Sequence, residues 1–183
     1  MQEKRRRILR ALALTALLSA LGAALGYLDA VLPVLRFIPL PGIKLGLANA
    51  ATLLALCLLG WQYAAAVSLV RILLVNLLLF PSATALWFAL AGGALSLAVM
   101  ILLQKCAFHT VTVSVAGAVA HNLAQLAAAA LLTSSAGIFS YFTVLLPAGI
   151  VTGALLGILT ALILPRAKKA FETQFSGNTE GAE

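Results

Sequence analysis

The chain has 183 residues, of which 63% are hydrophobic and only 9% are charged, and its mean hydropathy is +1.10. A soluble domain carries about 25% charged residues, so this composition excludes an ordinary soluble domain and indicates a membrane protein. The net charge of +7 does not indicate nucleic-acid binding, because the basic residues cluster near the two chain ends and flank apolar segments.

The N-terminal segment joins a basic head to an apolar run that continues to Leu32. That run is too long for the core of a signal peptide, about 7–15 residues, so we interpret it as a retained first span. The sequence thus predicts a basic N-terminal tail (1–7), one membrane domain (8–164) and a polar C-terminal tail (165–183). The composition after Phe171 is typical of a disordered segment.

A transmembrane helix needs about 20 apolar residues, and the chain offers six such segments, which predicts an all-α, polytopic bundle of six helices. Pro, Gly and Ser residues and the segment Lys105–His109 separate them. The predicted spans are Ile8–Leu32, Lys44–Gly60, Gln62–Phe80, Thr84–Leu103, Val111–Thr133 and Phe139–Leu164. An even number of spans with basic tails predicts a multi-pass protein of the cell membrane with both termini in the cytoplasm.

The segment Phe37–Thr52 then faces the outside and brings a Pro-rich loop, the cation Lys44 and the start of the second span together. Asn49 and Thr52 lie three residues apart and share one helix face. A helix start beside a cation can attract an anionic group. Alternatively, the loop is shaped by folding alone and Lys44 reaches into the membrane interface.

Charged groups within lipid are costly and therefore informative. Arg71 lies near the middle of the third span, and Asp29 is the only acidic residue between Glu3 and Glu172. A buried Asp29–Arg71 pair is one interpretation, although their predicted depths differ. An unpaired Arg71 would instead suit an anionic ligand.

The fifth span carries a second polar group of residues. At about 100° per residue, Ser114, His121 and Gln125 fall on one face, with Asn122 beside them. Four polar residues on one side of a lipid-buried helix favour a polar cavity over ordinary packing. The absence of a neighbouring His or carboxylate in the sequence argues against a metal site.

Small residues repeat every four positions in two spans, which lets helices approach closely in lipid. Packing within the chain explains most such strips, whereas the strip of the first span could dock another membrane subunit. The strips are Gly149, Gly153 and Gly157 in the sixth span, and Ala16, Ala20 and Ala24 in the first.

The chain has only five acidic residues, so it lacks the clustered carboxylates with which prenyl-diphosphate enzymes hold Mg²⁺. It also lacks a Walker A loop and a GxSxG motif. We therefore predict no catalytic residues, no cofactor and no metal, and any ATPase that drives the protein would be another chain.

Three motifs carry a resemblance to a known family: PGIKLGLAN (Pro41–Asn49), AGGALSLAVM (Ala91–Met100) and VSVAGAVAHNLAQ (Val113–Gln125). The chain resembles the Gx transporter family, also called heptaprenyl diphosphate synthase component I. That family is similar to the substrate-binding (S) subunits of energy-coupling factor transporters, six-helix proteins that capture vitamins or their precursors. The resemblance implies that the Pro33–Gly42 loop helps to cover the ligand and that Ala16, Ala20 and Ala24 face a transmembrane coupling subunit, which two cytoplasmic ATPases serve.

These observations together predict a solute-binding membrane subunit for a small vitamin or cofactor precursor, anionic, isoprenoid-like or aromatic. The alternatives are a non-transport membrane subunit in flavin- or quinone-linked electron transfer or isoprenoid metabolism, and a prenyl-diphosphate synthase component. The predicted ligand-binding residues are Lys44, Asn49, Arg71, His121, Asn122 and Gln125.

Overall fold

A computed structural model describes residues 2–31, 46–79 and 81–176, and within these ranges the chain is helical and forms no strand. The helices are α1 (Gln2–Val31), α2 (Asn49–Leu59), α3 (Trp61–Leu73), α4 (Ala83–Lys105), α5 (Thr110–Thr133) and α6 (Phe142–Ser176). A π-helical segment, Leu74–Leu79, directly follows α3, and a 3-10 turn, Ala136–Tyr141, directly precedes α6.

Five helical segments are long and apolar enough to cross a membrane. Large apolar side chains cover the outside of the bundle; Leu131 is 82% exposed and Leu78 is 72% exposed. A soluble protein would bury such side chains, whereas a membrane protein presents them to lipid. The prediction of an all-α membrane bundle is therefore confirmed.

The predicted breaks between the later spans are also confirmed. Gly60 joins α2 to α3 with φ at +91°, a backbone conformation that glycine adopts without strain. The hydroxyl of Ser82 accepts a hydrogen bond from the backbone N–H of Ala85 and caps the start of α4. The turn after Lys105 separates α4 from α5, and Ser134 ends α5 in the left-handed conformation.

The second span differs from its prediction as Lys44–Gly60. Helix α2 has only 11 residues, which gives a length of about 16 Å, roughly half of the hydrocarbon core. Its first residues lie beside Gly26 of α1, and its last residues lie beside Ala11. Helix α2 therefore begins inside the bundle, because the residues before it form turns there instead of continuing the helix.

Helix α6 extends beyond its predicted end at Leu164. It continues through Pro165 to Ser176, and so enters the segment predicted to be a disordered tail. A proline removes a single backbone donor, and Lys168 and Phe171 after it line a groove together with residues of α1 and α2. The contacts of these residues therefore outweigh the tendency of Pro165 to end the helix.

The glycine strip of α6 packs within the chain, as predicted. A Cβ atom at Gly153 would lie 2.7 Å from the Cα atom of Val115, and one at Gly157 would lie 2.8 Å from the Cα atom of Val111. The strip of α1 behaves differently, because Ala16, Ala20 and Ala24 are all exposed on the outer face of the bundle. Helix α1 instead uses Gly22 and Gly26 to approach α2 and α3.

Candidate functional site

The start of α2 is held by a carboxylate from α1. Asp29 Oδ2 accepts hydrogen bonds from the backbone N–H groups of Gly46, at 2.7 Å, and Leu47, at 3.2 Å. Gly46 has φ at +83°, which allows the chain to turn into the helix. Both N–H groups belong to the turn just before α2, so Asp29 fixes this turn near the positive end of the helix dipole.

The guanidinium group of Arg71 reaches α2 from the neighbouring helix α3. Its Nε donates to Thr52 Oγ1 at 3.1 Å, and its NH2 nitrogen donates to Asn49 Oδ1 at 2.7 Å. Arg71 is only 6% exposed. The predicted common face of Asn49 and Thr52 therefore exists, and its immediate use is to hold this buried arginine.

Arg71 and Asp29 line the same small cavity and interact electrostatically. Their charges offset each other, although the hydrogen bonds described above connect Asp29 to the α2 backbone and Arg71 to two α2 side chains. Although the sequence places Asp29 and Arg71 at different depths, both contact the start of α2: Asp29 binds the turn before it, and Arg71 binds Asn49 and Thr52. The two charges thus belong to one site.

The cavity measures about 30 Å³, which is room for about one water-sized molecule. Helices α1, α3, α4 and α5 and the residues leading into α2 contribute to its wall. The lining residues are Gly26, Asp29, Gly46, Ala48, Arg71, Ile72, Val75, Asn76, Ala89, His121 and Gln125.

Helix α5 supplies two of the predicted polar side chains, His121 and Gln125, and both are at most 5% exposed. They pack against Gly92 of α4, where a Cβ atom would lie 2.7 Å from His121 Cε1 and 3.1 Å from Gln125 Cγ. Gln125 Oε1 has no hydrogen-bond partner among the described residues. A buried amide oxygen without a partner costs free energy, so Gln125 is poised to accept a hydrogen bond from a bound molecule.

Asn76 is a cavity residue that the sequence analysis did not identify. It is 2% exposed and lies in the π-helical segment Leu74–Leu79. Its amide nitrogen donates to the Ile72 carbonyl at 2.8 Å, while its Oδ1 has no partner in the described part of the chain. Single π-helical turns occur often at functional sites. A lone asparagine in the apolar run Leu73–Leu79 was the available signal.

Two predicted site residues stand apart from the cavity. The amide nitrogen of Asn122 donates to the Leu145 carbonyl of α6 at 2.9 Å, so this side chain connects α5 to α6 and does not line the cavity. Asn49 lies behind the lining and orients Arg71. Lys44 and the Pro33–Gly42 loop lie outside the described residues.

The arrangement suits binding through hydrogen bonds. Asn76 and Gln125 provide acceptors, and Arg71 provides charged donors. Across the described ranges, no three side chains of His, Cys, Asp or Glu come close enough to hold a metal ion. The site thus offers polar contacts to a small molecule within an apolar bundle.

The fold defines this chain as a polytopic helical membrane protein. The family model described as heptaprenyl diphosphate synthase component I matches residues 18–163, and the chain therefore belongs to that family. Searches among curated proteins and among solved structures found no significant match.

Proposed function

We propose that this protein is the substrate-binding membrane subunit of an energy-coupling factor-type importer. The observation that carries the proposal is the interior start of α2, which faces Arg71, Asn76, His121 and Gln125 across one cavity. Interrupted helices of this kind hold solutes within several transporter folds. With both termini in the cytoplasm, this cavity lies in the outer half of the bundle.

The charges of the cavity bear on the class of solute. Asp29 offsets Arg71, and Asp29 is already hydrogen-bonded to the turn that leads into α2. A second full negative charge would compete with this carboxylate. We therefore infer a neutral or zwitterionic solute with amide or hydroxyl groups and an apolar body, in preference to a phosphorylated one.

Binding requires the cavity to widen, because solute pockets measure about 300–1,000 Å³ and this one measures about 30 Å³. Asp29 near the end of α1 and Gly46 just before α2 both line this cavity. Displacement of the α2 start from Asp29 would open the cavity toward the outside.

The decisive experiment is native mass spectrometry of the protein purified in mild detergent, with Gln125→Met as the test variant. We expect the wild-type protein to retain a small molecule and this variant to lose up to about 90% of it, because a buried hydrogen bond between uncharged groups contributes at most about 1.5 kcal/mol, or roughly tenfold in affinity. Methionine keeps the volume and leaves no amide unsatisfied, so the variant should remain folded.

Gln104→Met is the matched control, because Gln104 donates to the Leu56 carbonyl and lies away from the cavity. It should retain the molecule at the wild-type level. Absence of any retained molecule from the wild-type protein, or equal retention by both variants, would contradict the proposal.

The proposed partners are a transmembrane coupling subunit and two cytoplasmic ATPases. Support comes from Ala16, Ala20 and Ala24, which form an exposed strip that no other helix of the described chain covers. Close helix packing in lipid uses small residues of this kind. This surface is available to a helix of another subunit.

Ala20→Trp should reduce co-purification of the coupling subunit by at least about tenfold, since a bulky side chain prevents close approach of the helices. The measurement is affinity purification after co-expression with the coupling subunit and ATPases of the same organism. Leu155→Trp on the lipid-facing side of α6 is the control, because Leu155 is 64% exposed. Equal recovery with Ala20→Trp would remove α1 from the interface.

A second candidate follows from the family description, which names one component of a prenyl diphosphate synthase. In that role the chain would be a membrane partner of a catalytic subunit, because its described residues hold no cluster of metal-binding side chains. An assay with labelled isopentenyl diphosphate distinguishes the two roles. Stimulation of prenyl transfer by the purified protein, together with the absence of retained solute, would favour this candidate.

A further inference from the structure

A second cavity lies at the opposite end of the bundle from Asp29, between the start of α1 and the later part of α6. It is an open groove of about 580 Å³, within the range of small-molecule and lipid sites. Its walls come from the start of α1, the junction of α2 and α3, and the end of α6. The lining residues are Arg7, Ile8, Ala11, Leu58, Leu59, Tyr63, Lys168 and Phe171.

Differences in helix length produce this groove. Helix α1 has 30 residues and α6 has 35, which correspond to about 45 Å and about 52 Å. Helix α2 ends at Leu59, and the chain turns back at Gly60 into α3. The start of α1 and the end of α6 therefore extend past this turn, and the last residues of α2 form the floor of the groove between them.

The groove is amphipathic. Arg7 and Lys168 contribute cations from two different helices, and both side chains are exposed. The remaining wall is mostly apolar, and Ile8 on its rim is 45% exposed. An apolar groove with two cations at its edge complements a molecule that carries a phosphate group on a hydrocarbon chain.

The position of the groove selects among such molecules. Basic residues crowd both helix ends that form it, namely Lys4 to Arg10 on α1 and Arg166 to Lys169 on α6. Runs of this kind mark the level of lipid headgroups on the cytoplasmic side. A molecule bound there has its phosphate at headgroup level and its chain directed into the bilayer.

We propose that this groove binds one anionic phospholipid of the surrounding bilayer. Its phosphate lies between Arg7 and Lys168, and one acyl chain runs along Ile8 and Leu58. The bound lipid connects the start of α1 to the end of α6. This site is separate from the cavity at Asp29 and does not depend on the transport proposal.

The test is native mass spectrometry in neutral detergent with added dioleoyl phosphatidylglycerol, using dioleoyl phosphatidylcholine as the comparison because its zwitterionic headgroup has no net charge. The wild-type protein should bind one phosphatidylglycerol in preference to phosphatidylcholine. Arg7→Gln with Lys168→Gln should weaken this binding about tenfold, because charge-assisted contacts to the phosphate are lost. Both side chains are exposed, so the doubly substituted protein should fold, and its unfolding temperature verifies this.

The matched control is Arg5→Gln with Arg6→Gln, which also removes two positive charges, but both from α1 and outside the groove. It should bind phosphatidylglycerol within about twofold of the wild type, since general attraction is weak without a membrane surface. A loss equal to that of the groove variant would show that the basic tail acts only through its overall charge, and would overturn the proposal.

A second pair of variants examines the apolar wall. Ile8→Ser should weaken phosphatidylglycerol binding, whereas Leu9→Ser, at an exposed position that does not line the groove, should not. Inorganic phosphate at millimolar concentration should not displace the lipid. Displacement by inorganic phosphate, or by farnesyl diphosphate at a lower concentration than phosphatidylglycerol requires, would assign the groove to a different ligand and overturn the proposal.

Discussion

Replacing Arg71 with methionine is expected to lower the free energy of unfolding by about 3–5 kcal/mol, the range found when one member of a buried charge pair is removed. Arg71 is 6% exposed and donates hydrogen bonds to Asn49 and Thr52. Methionine replaces the aliphatic part of the arginine side chain, so most of the loss should come from electrostatics and hydrogen bonds.

The reason for this large effect is that Arg71 serves two groups at once. Without it, Asn49 Oδ1 and Thr52 Oγ1 lose their donor inside an apolar bundle, which leaves buried acceptors unsatisfied. The negative charge of Asp29 also loses the cation that offsets it. The start of α2 should therefore be the first part of the bundle to loosen.

The measurement is equilibrium unfolding in detergent micelles for Arg71→Met, Asp29→Asn and the combined variant. We expect the combined variant to be more stable than the sum of the single effects predicts, by about 1–3 kcal/mol, since each charge is harmful mainly when the other is absent. Arg166→Met is the control, because Arg166 is exposed and such a change usually stays within about 0.5 kcal/mol. An Arg71→Met protein as stable as the wild type would contradict the assigned role.

Helix boundaries that depend on local chemistry could be predicted from the sequence. The turn at Gly60 requires a positive φ, and Ser82 supplies a helix cap, so both signals lie within the residues concerned. The start of α2 could not be found this way, because the turn that precedes it is held by Asp29, which lies 17 residues before Gly46 in the chain. Hydropathy continues through this point, and a window of apolar residues cannot show where a distant carboxylate interrupts a helix.

The site residues divide along the same line. Helical spacing places His121 and Gln125 on one face, and the structure brings both to the cavity. Asn122 is next to them in sequence, yet it turns to the Leu145 carbonyl, because α6 packs against that side of α5. Asn76 reaches the cavity through a π-helical segment, which shifts its side chain relative to regular helical spacing. Spacing therefore identifies a polar face, and neighbouring helices decide which of its members share a cavity.

The contact between α5 and α6 leads to a second large effect. Gly153→Ala should lower the free energy of unfolding by about 1–3 kcal/mol, the usual cost of overpacking. The added Cβ atom would lie 2.7 Å from the Cα atom of Val115 and 3.2 Å from the carbonyl oxygen of Ser114. These are backbone atoms and cannot rotate away, so the two helices have to separate.

Gly137→Ala is the matched control, because the nearest atom to its added Cβ would be Ser135 Oγ at 3.6 Å, an ordinary contact distance. This variant should unfold at nearly the wild-type denaturant concentration. If Gly153→Ala is as stable as the wild-type protein, α5 and α6 can separate without a loss of stability, and close packing at the glycine strip does not stabilise the bundle.

Displacement of α5 should also reach the cavity. Helix α5 packs between α6 on one side and α4 on the other, where Gly92 leaves space for His121. Because α4 offers no further room, a shift of α5 away from α6 would press His121 and Gln125 against Gly92. Gly153→Ala should thus reduce retention of the solute even in the folded fraction of the protein. Gly117→Ala is the control and should retain the solute, because its added Cβ atom meets only the flexible side chain of Met100 and Ser96 Oγ. Full retention by Gly153→Ala would mean that the cavity tolerates displacement of α5 and that the helix does not set the geometry of the site.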